Sequence, residues 1–121
     1  MNTYYKGDYK TDAPTHRGWV VGTFMEDFPR KTDKVEIKYW EEKPGSNNHT
    51  AKTSAIIECT FVLEGKCKGF AGNDTIEMKA GDYIVISPGT PNNLLEEVYE
   101  PTRGFTIKAP SDPAAKKELA R

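Results

Sequence analysis

Glycine and proline break this chain at short intervals, and that rhythm limits what it can become. Ten glycines and eight prolines punctuate 121 residues, and the segments between them seldom exceed eight residues. Those segments are rich in Val, Ile, Thr, Tyr and Phe, the residues that fit a pleated, half-buried surface. The pattern predicts an all-β sandwich or barrel with strands at 19–25, 34–40, 51–57, 58–64, 66–70, 75–79, 83–87, 93–98 and 104–109. One segment reads differently. Residues 113–121 open on Pro113 and continue with Ala, Lys, Glu and Leu, a composition that predicts a short C-terminal helix. Residues 1–16, with Tyr4, Tyr5 and Tyr9 among polar neighbours, read as an N-terminal arm that either packs on a partner subunit or stays mobile. The expected organisation is therefore an arm over 1–16, a barrel over 17–112 and a helical tail over 113–121.

A chain of this length suits one domain and can bury roughly two thirds of the surface that its unfolded form exposes. Charged residues make up 29% and the net charge is −1, so no overall basic field favours a nucleic-acid polymer. The sequence has neither an apolar run long enough to span a bilayer nor an apolar leader, so the expectation is a cytoplasmic protein without a membrane partner. Cys59 and Cys67 flank Gly65 unequally, which predicts two reduced thiols on either side of a turn. His16 and His49 are the only histidines, and each reads as a surface residue rather than a general base. No P-loop, dinucleotide fingerprint or Ser-His-Asp pattern is present.

Two segments carry a family resemblance. Glu58-Cys59-Thr60-Phe61-Val62-Leu63-Glu64-Gly65 resembles the end of the first cupin motif, and Gly81-Asp82-Tyr83-Ile84-Val85-Ile86-Ser87-Pro88-Gly89-Thr90-Pro91 resembles the second. The flanks 16–24 and 105–111 are similar to those of small single-domain cupins. The resemblance implies a double-stranded β-helix, or jelly-roll barrel, commonly paired as a homodimer. It also implies a departure. Metal-binding cupins carry two histidines shortly before the glutamate and a third after the Pro-Gly-x-Pro turn. Here those positions hold Ala51 and Thr53, or Lys52 and Ser54 in the other register, and then Asn92, so that only Glu58 remains. A lone carboxylate with an amide and a hydroxyl is too few and too weak a donor set for a transition metal, and neither metal nor other cofactor is expected. His49 lies nine residues before Glu58, an odd separation that would point it to the opposite face of a continuous strand.

If Glu58 points into the barrel, the period of two places Thr60 and Val62 beside it and turns Cys59, Phe61 and Leu63 outward. That outer face needs a cover, supplied by a second sheet, the arm or a partner. Glu36, Lys38 and Trp40 alternate with Val35, Ile37 and Tyr39, and Thr106 and Lys108 alternate with Phe105, Ile107 and Ala109. Two readings stay open for each polar set, a solvated outer face or the lining of the barrel mouth. In the same way Glu58 is either an anchor for Lys38 or Lys108 or part of a site, and Asn92 either serves turn chemistry or faces the cavity. The leading functional expectation is a metal-free barrel that binds a small polar, anionic molecule without catalysis. In it Trp40 stacks, Lys38 and Lys108 counter charge, and Glu58, Thr60 and Asn92 orient. The rivals are a metal-independent isomerase or epimerase acting on a sugar or sugar nucleotide, and a protein-interaction module with a filled barrel.

Overall fold

The computed structural model describes residues 4–46 and 50–119. A four-residue helix α1 (Tyr9–Asp12), capped by the Asp8 carboxylate on the Lys10 N–H, runs into a 3-10 turn over Ala13–His16. Eight strands follow: β1 (Trp19–Val21), β2 (Glu36–Glu42), β3 (Lys52–Ser54), β4 (Ile57–Ala71), β5 (Asp74–Lys79), β6 (Tyr83–Ile86), β7 (Asn92–Ala109) and β8 (Lys116–Glu118). All pairings are antiparallel and belong to one sheet. Two long strands, β4 and β7, pair along nearly their whole length and form the spine. At one end the order is β1-β2-β7-β4-β6, and at the other β5-β4-β7-β3-β8, so the sheet curls upon itself as a jelly roll.

The predicted breaks at Gly65 and near Pro101 are not turns. Each is a bulge inside a continuous strand, and the two oppose each other. Register slips between Val62 and Glu64 and again before Lys66 and Cys67, while Pro101, which lacks an N–H, falls where no partner is paired. Gly65 adopts φ +100° and lies against Thr102, whose hydroxyl accepts from the Lys66 N–H. Cys59 and Cys67 consequently lie on the same strand, both as free thiols. Burial pushes the Cys67 thiol up to about 11.

The expected C-terminal helix is replaced by a strand. Residues 116–118 pair with β3, the Ala55 N–H donates to the Ala115 carbonyl, and the Leu119 N–H donates to the Ala51 carbonyl. A nine-residue segment is too short for its helix propensity to hold it in isolation, and the open edge of β3 offers it a ladder instead. Among the described residues the α-helix is α1, at the other end.

The arm folds back on its own barrel. Tyr9 packs against Tyr39 and Phe105, with ring centroids 4.7 and 5.0 Å away, and its hydroxyl accepts from Arg103 at 3.3 Å. It covers the outer face of β2 and β7, where Tyr39 is only 5% exposed. The outer face of β4 and β6 has no such cover within the described residues: Ile57, Phe61, Leu63, Tyr83 and Val85 are all exposed, and Phe61 stacks only on Tyr83.

Candidate functional site

The cross-strand register lays out the inner wall as three rows on β2, β7 and β4. The first row is Glu36, Lys108 and Glu58; the second is Lys38, Thr106 and Thr60; the third is Trp40, Gly104 and Val62. Each row is two residues, or about 7 Å, from the next. The wall therefore grades from ionic through hydroxylic to apolar along a single direction. Below the third row lies the core cluster of Val62, Cys67 and Met78, packed by Trp40, Leu94 and Leu95.

This wall encloses a cavity of about 250 Å³. All six residues expected at the site, Lys38, Trp40, Glu58, Thr60, Asn92 and Lys108, line it. The polar sets of β2 and β7 thus face inward, and the reading that left them to solvent does not describe this barrel. The usual alternation is inverted, with Tyr9 packed over Tyr39 and Phe105 of the outer set.

The third row depends on a glycine. Gly104 is the cross-strand partner of Trp40, and a Cβ there would lie 2.6 Å from Cζ2 of the indole and 2.2 Å from the Phe61 carbonyl oxygen. Without a side chain at 104 the indole lies across β7, and its Nε1 donates to Thr106 Oγ1 at 3.1 Å. Thr106 shares a further hydrogen bond with Thr60, oxygen to oxygen 2.9 Å.

The first row departs from expectation in its ion pair. Glu58 is 2% exposed, and its partner is neither Lys38 nor Lys108 but Lys52, whose Nζ lies 3.2 Å from Oε2. Lys52 stands six residues before Glu58, at one of the two registers where metal-binding relatives place histidine. Lys52 lies on β3 and Glu58 on β4, so spacing along one strand does not disclose their approach. The second carboxylate oxygen, Oε1, is buried without a hydrogen-bond partner among the described residues. Lys108 faces Glu58 directly across the strands. Burial depresses its ammonium below the ordinary lysine range, Lys52 adds repulsion, and Glu58 and Glu36 pull the other way. Lys38 is depressed for the same first cause, with repulsion from Lys116 and Lys52. Among the described residues neither lysine has a carboxylate within ion-pair distance, while Lys38 lies over the Trp19 ring at 5.5 Å. In the first row Glu36 is 3% exposed, and desolvation raises its carboxyl pKa.

Asn92, 1% exposed, both lines the cavity and serves its turn, donating through Nδ2 to the Thr90 carbonyl. Sequence reasoning also missed Trp19 and Lys116, which reach the cavity from β1 and β8. His16 lies elsewhere, with Nε2 2.9 Å from Glu26 and Nδ1 3.0 Å from the Asp12 carbonyl. His49 lies outside the described residues.

The donor set does not suit the metal that this fold commonly carries. No cluster of three His, Cys, Asp or Glu side chains occurs among the described residues, and an ammonium already sits on the one carboxylate at the expected place. No described helix is long and apolar enough to cross a membrane.

The family model of the EutQ-like cupin domain matches residues 30–108. No curated protein matches the chain. Among solved structures, a conserved double-stranded β-helix protein from Klebsiella pneumoniae superposes with TM-score 0.65 at 21% identity, over 74% of this chain and 78% of that one. A variant of Streptomyces Pac13 with uridine gives 0.62 at 10% identity, over 77% and 74%; Pac13 is described as a nucleoside dehydratase. A putative sugar phosphate isomerase from Acidithiobacillus ferrooxidans gives 0.55 at 18%, over 63% and 50%. Identities this low speak to the fold alone.

Proposed function

The chain belongs to the EutQ-like cupin domain family, and on that premise we propose that its barrel binds a small anionic molecule carrying a flat ring, without a metal and without catalysis. The observation that carries this reading is the state of Lys38 and Lys108. Both face a cavity that is apolar at its far end, and neither has a carboxylate in contact among the described residues. A buried ammonium calls for a counter-charge, and a ligand anion would supply it. Four lysines line the cavity against three glutamates, and two of those glutamates, Glu58 and Glu118, already hold Lys52 and Lys116. The indole of Trp40 and the cluster beneath it offer a surface for a ring.

Size narrows the class. A cavity of about 250 Å³ exceeds the roughly 150 Å³ that accommodates benzene and falls below the usual range for drug-sized ligands, so one ring with a charged substituent fits best. Binding without chemistry is favoured over proton shuttling because His16, held by Glu26 and Asp12, stands away from the cavity. A calorimetric screen of nucleotides, sugar phosphates and aromatic acids against wild type and Trp40→Ala tests the reading. A ring stacked on Trp40 should lose about 1–3 kcal/mol in the variant. Equal affinity in both proteins would remove Trp40 from the site, and turnover of any bound compound would replace binding with catalysis.

We also infer that the exposed face of Ile57, Phe61, Leu63, Tyr83 and Val85 pairs with a second copy, since the arm covers only β2 and β7.

A further inference from the structure

Resting on the anion-binding reading above, we propose that the ligand is an aromatic 2-hydroxy acid, whose carboxylate meets Lys108 and Lys38 while the hydroxyl on the adjacent carbon donates to Glu58 Oε1. The starting point is the orphaned oxygen. Glu58 is 2% exposed and lines the cavity; Lys52 occupies Oε2, and Oε1 has no partner among the described residues. A buried carboxylate oxygen left unsatisfied is costly, so the site calls for a donor that arrives with the ligand.

The register says where on the ligand that donor must be. Lys108 stands directly across from Glu58, and Lys38 is one row away. An anion held by these lysines brings its own neighbouring atom against Glu58, so the donor and the negative group sit on adjacent atoms. Charge then selects the kind of donor. An α-ammonium would add a cation to a cavity that already holds Lys38, Lys52, Lys108 and Lys116, whereas a hydroxyl brings none. Charge also selects the anion. Glu36 backs Lys108 and Glu58 faces it, so a monoanionic carboxylate meets less repulsion than a phosphate dianion. The third row, with Trp40 over Gly104 and Val62, takes the ring.

The probes are 3-phenyllactate, 3-phenylpropanoate, which lacks the hydroxyl, and phenylalanine, which replaces it with an ammonium. Each is titrated calorimetrically into the full chain and into Glu58→Gln. In that variant the amide oxygen turns to Lys52 and leaves a donor where the acceptor stood. The expected result is that phenyllactate binds wild type about tenfold or more tighter than either other probe, the worth of a hydrogen bond to a charged group. In Glu58→Gln the gap to phenylpropanoate should close to about threefold or less. Equal binding of phenyllactate and phenylpropanoate to wild type would overturn the hydroxyl contact and leave the anion site standing, and preference for phenylalanine would overturn the choice of donor. If nucleotides bind and none of the three probes does, this inference alone fails; if no anion of any class binds, the reading beneath it fails too. The wild-type comparison decides the matter even if Glu58→Gln does not fold.

Discussion

Lys52→Met should destabilise the barrel more than an ordinary surface substitution, and the reason lies in what it leaves behind. The Lys52 side chain is 24% exposed and that of Glu58 2%, so the change strips from a buried carboxylate its one ion-pair partner among the described residues. Removing one member of a fully buried pair costs about 3–5 kcal/mol. Lys52 keeps some solvent, and Lys108 stands across from Glu58, which together bring the expectation to about 2–3 kcal/mol. With an unfolding entropy near 2.1 cal/mol/K per residue, this corresponds to a fall in Tm of about 8–12 °C for a chain of this size. Urea denaturation followed by fluorescence, alongside a thermal melt, would measure it. The diagnostic comparison is Lys52→Met combined with Glu58→Gln. Neutralising the orphaned acid should recover part of the loss, so that the double variant is more stable than Lys52→Met alone. A neutral Lys52→Met, or a double variant that loses the sum of both single changes, would refute the pair as described.

Two further outcomes concern the same wall, and a third its outer face. Lys38 and Lys108 are depressed below their ordinary value of 10.5 by burial, so they lose charge earlier than surface lysines as pH rises, and anion affinity should fall before pH 10.5. At these two lysines the folded chain binds fewer protons than the unfolded one, a contribution that raises stability with pH, whereas the raised thiol of Cys67 contributes with the opposite sign; calorimetry of anion binding at rising pH tests the fall in affinity. Gly104→Ala should cost about 1–3 kcal/mol, because the new Cβ meets the Phe61 carbonyl and the Trp40 ring, and a ligand stacked on Trp40 should weaken with it; a variant with wild-type melting would contradict the packing. Light scattering after gel filtration should give a dimer, twice 13.6 kDa, and a monodisperse monomer at micromolar concentration would show that the apolar face of β4 and β6 is tolerated in water.

The strands themselves were legible because β-rich segments and glycine turns agree along most of the chain, and the motif glutamate fixed which face of β4 points inward. The register of Glu58, Thr60 and Val62 followed from that one residue. What escaped local reading was decided by contacts far along the chain. Gly65 and Pro101 each look like a turn alone, yet opposed across β4 and β7 they make a pair of bulges that bend continuous strands. Residues 116–118 have helical composition, but the edge of β3 outweighs it. Lys38 and Trp40 looked ready for solvent on polarity, and only the arm, with Tyr9 laid on Tyr39 and Phe105, shows that the apolar side needed no core behind it. Lys52 stood at a recognisable register, but its role depends on a strand pairing that spacing alone does not disclose.

We propose that an ammonium, Lys52 on Glu58, takes the place of the metal this fold commonly holds and leaves the cavity to an organic anion. Elemental analysis of the purified chain by inductively coupled plasma mass spectrometry, after dialysis without chelator, tests it most directly. No transition metal at a stoichiometric level, and no change on adding a mild chelator, is the expected result. One metal ion per chain that resists the chelator would contradict it.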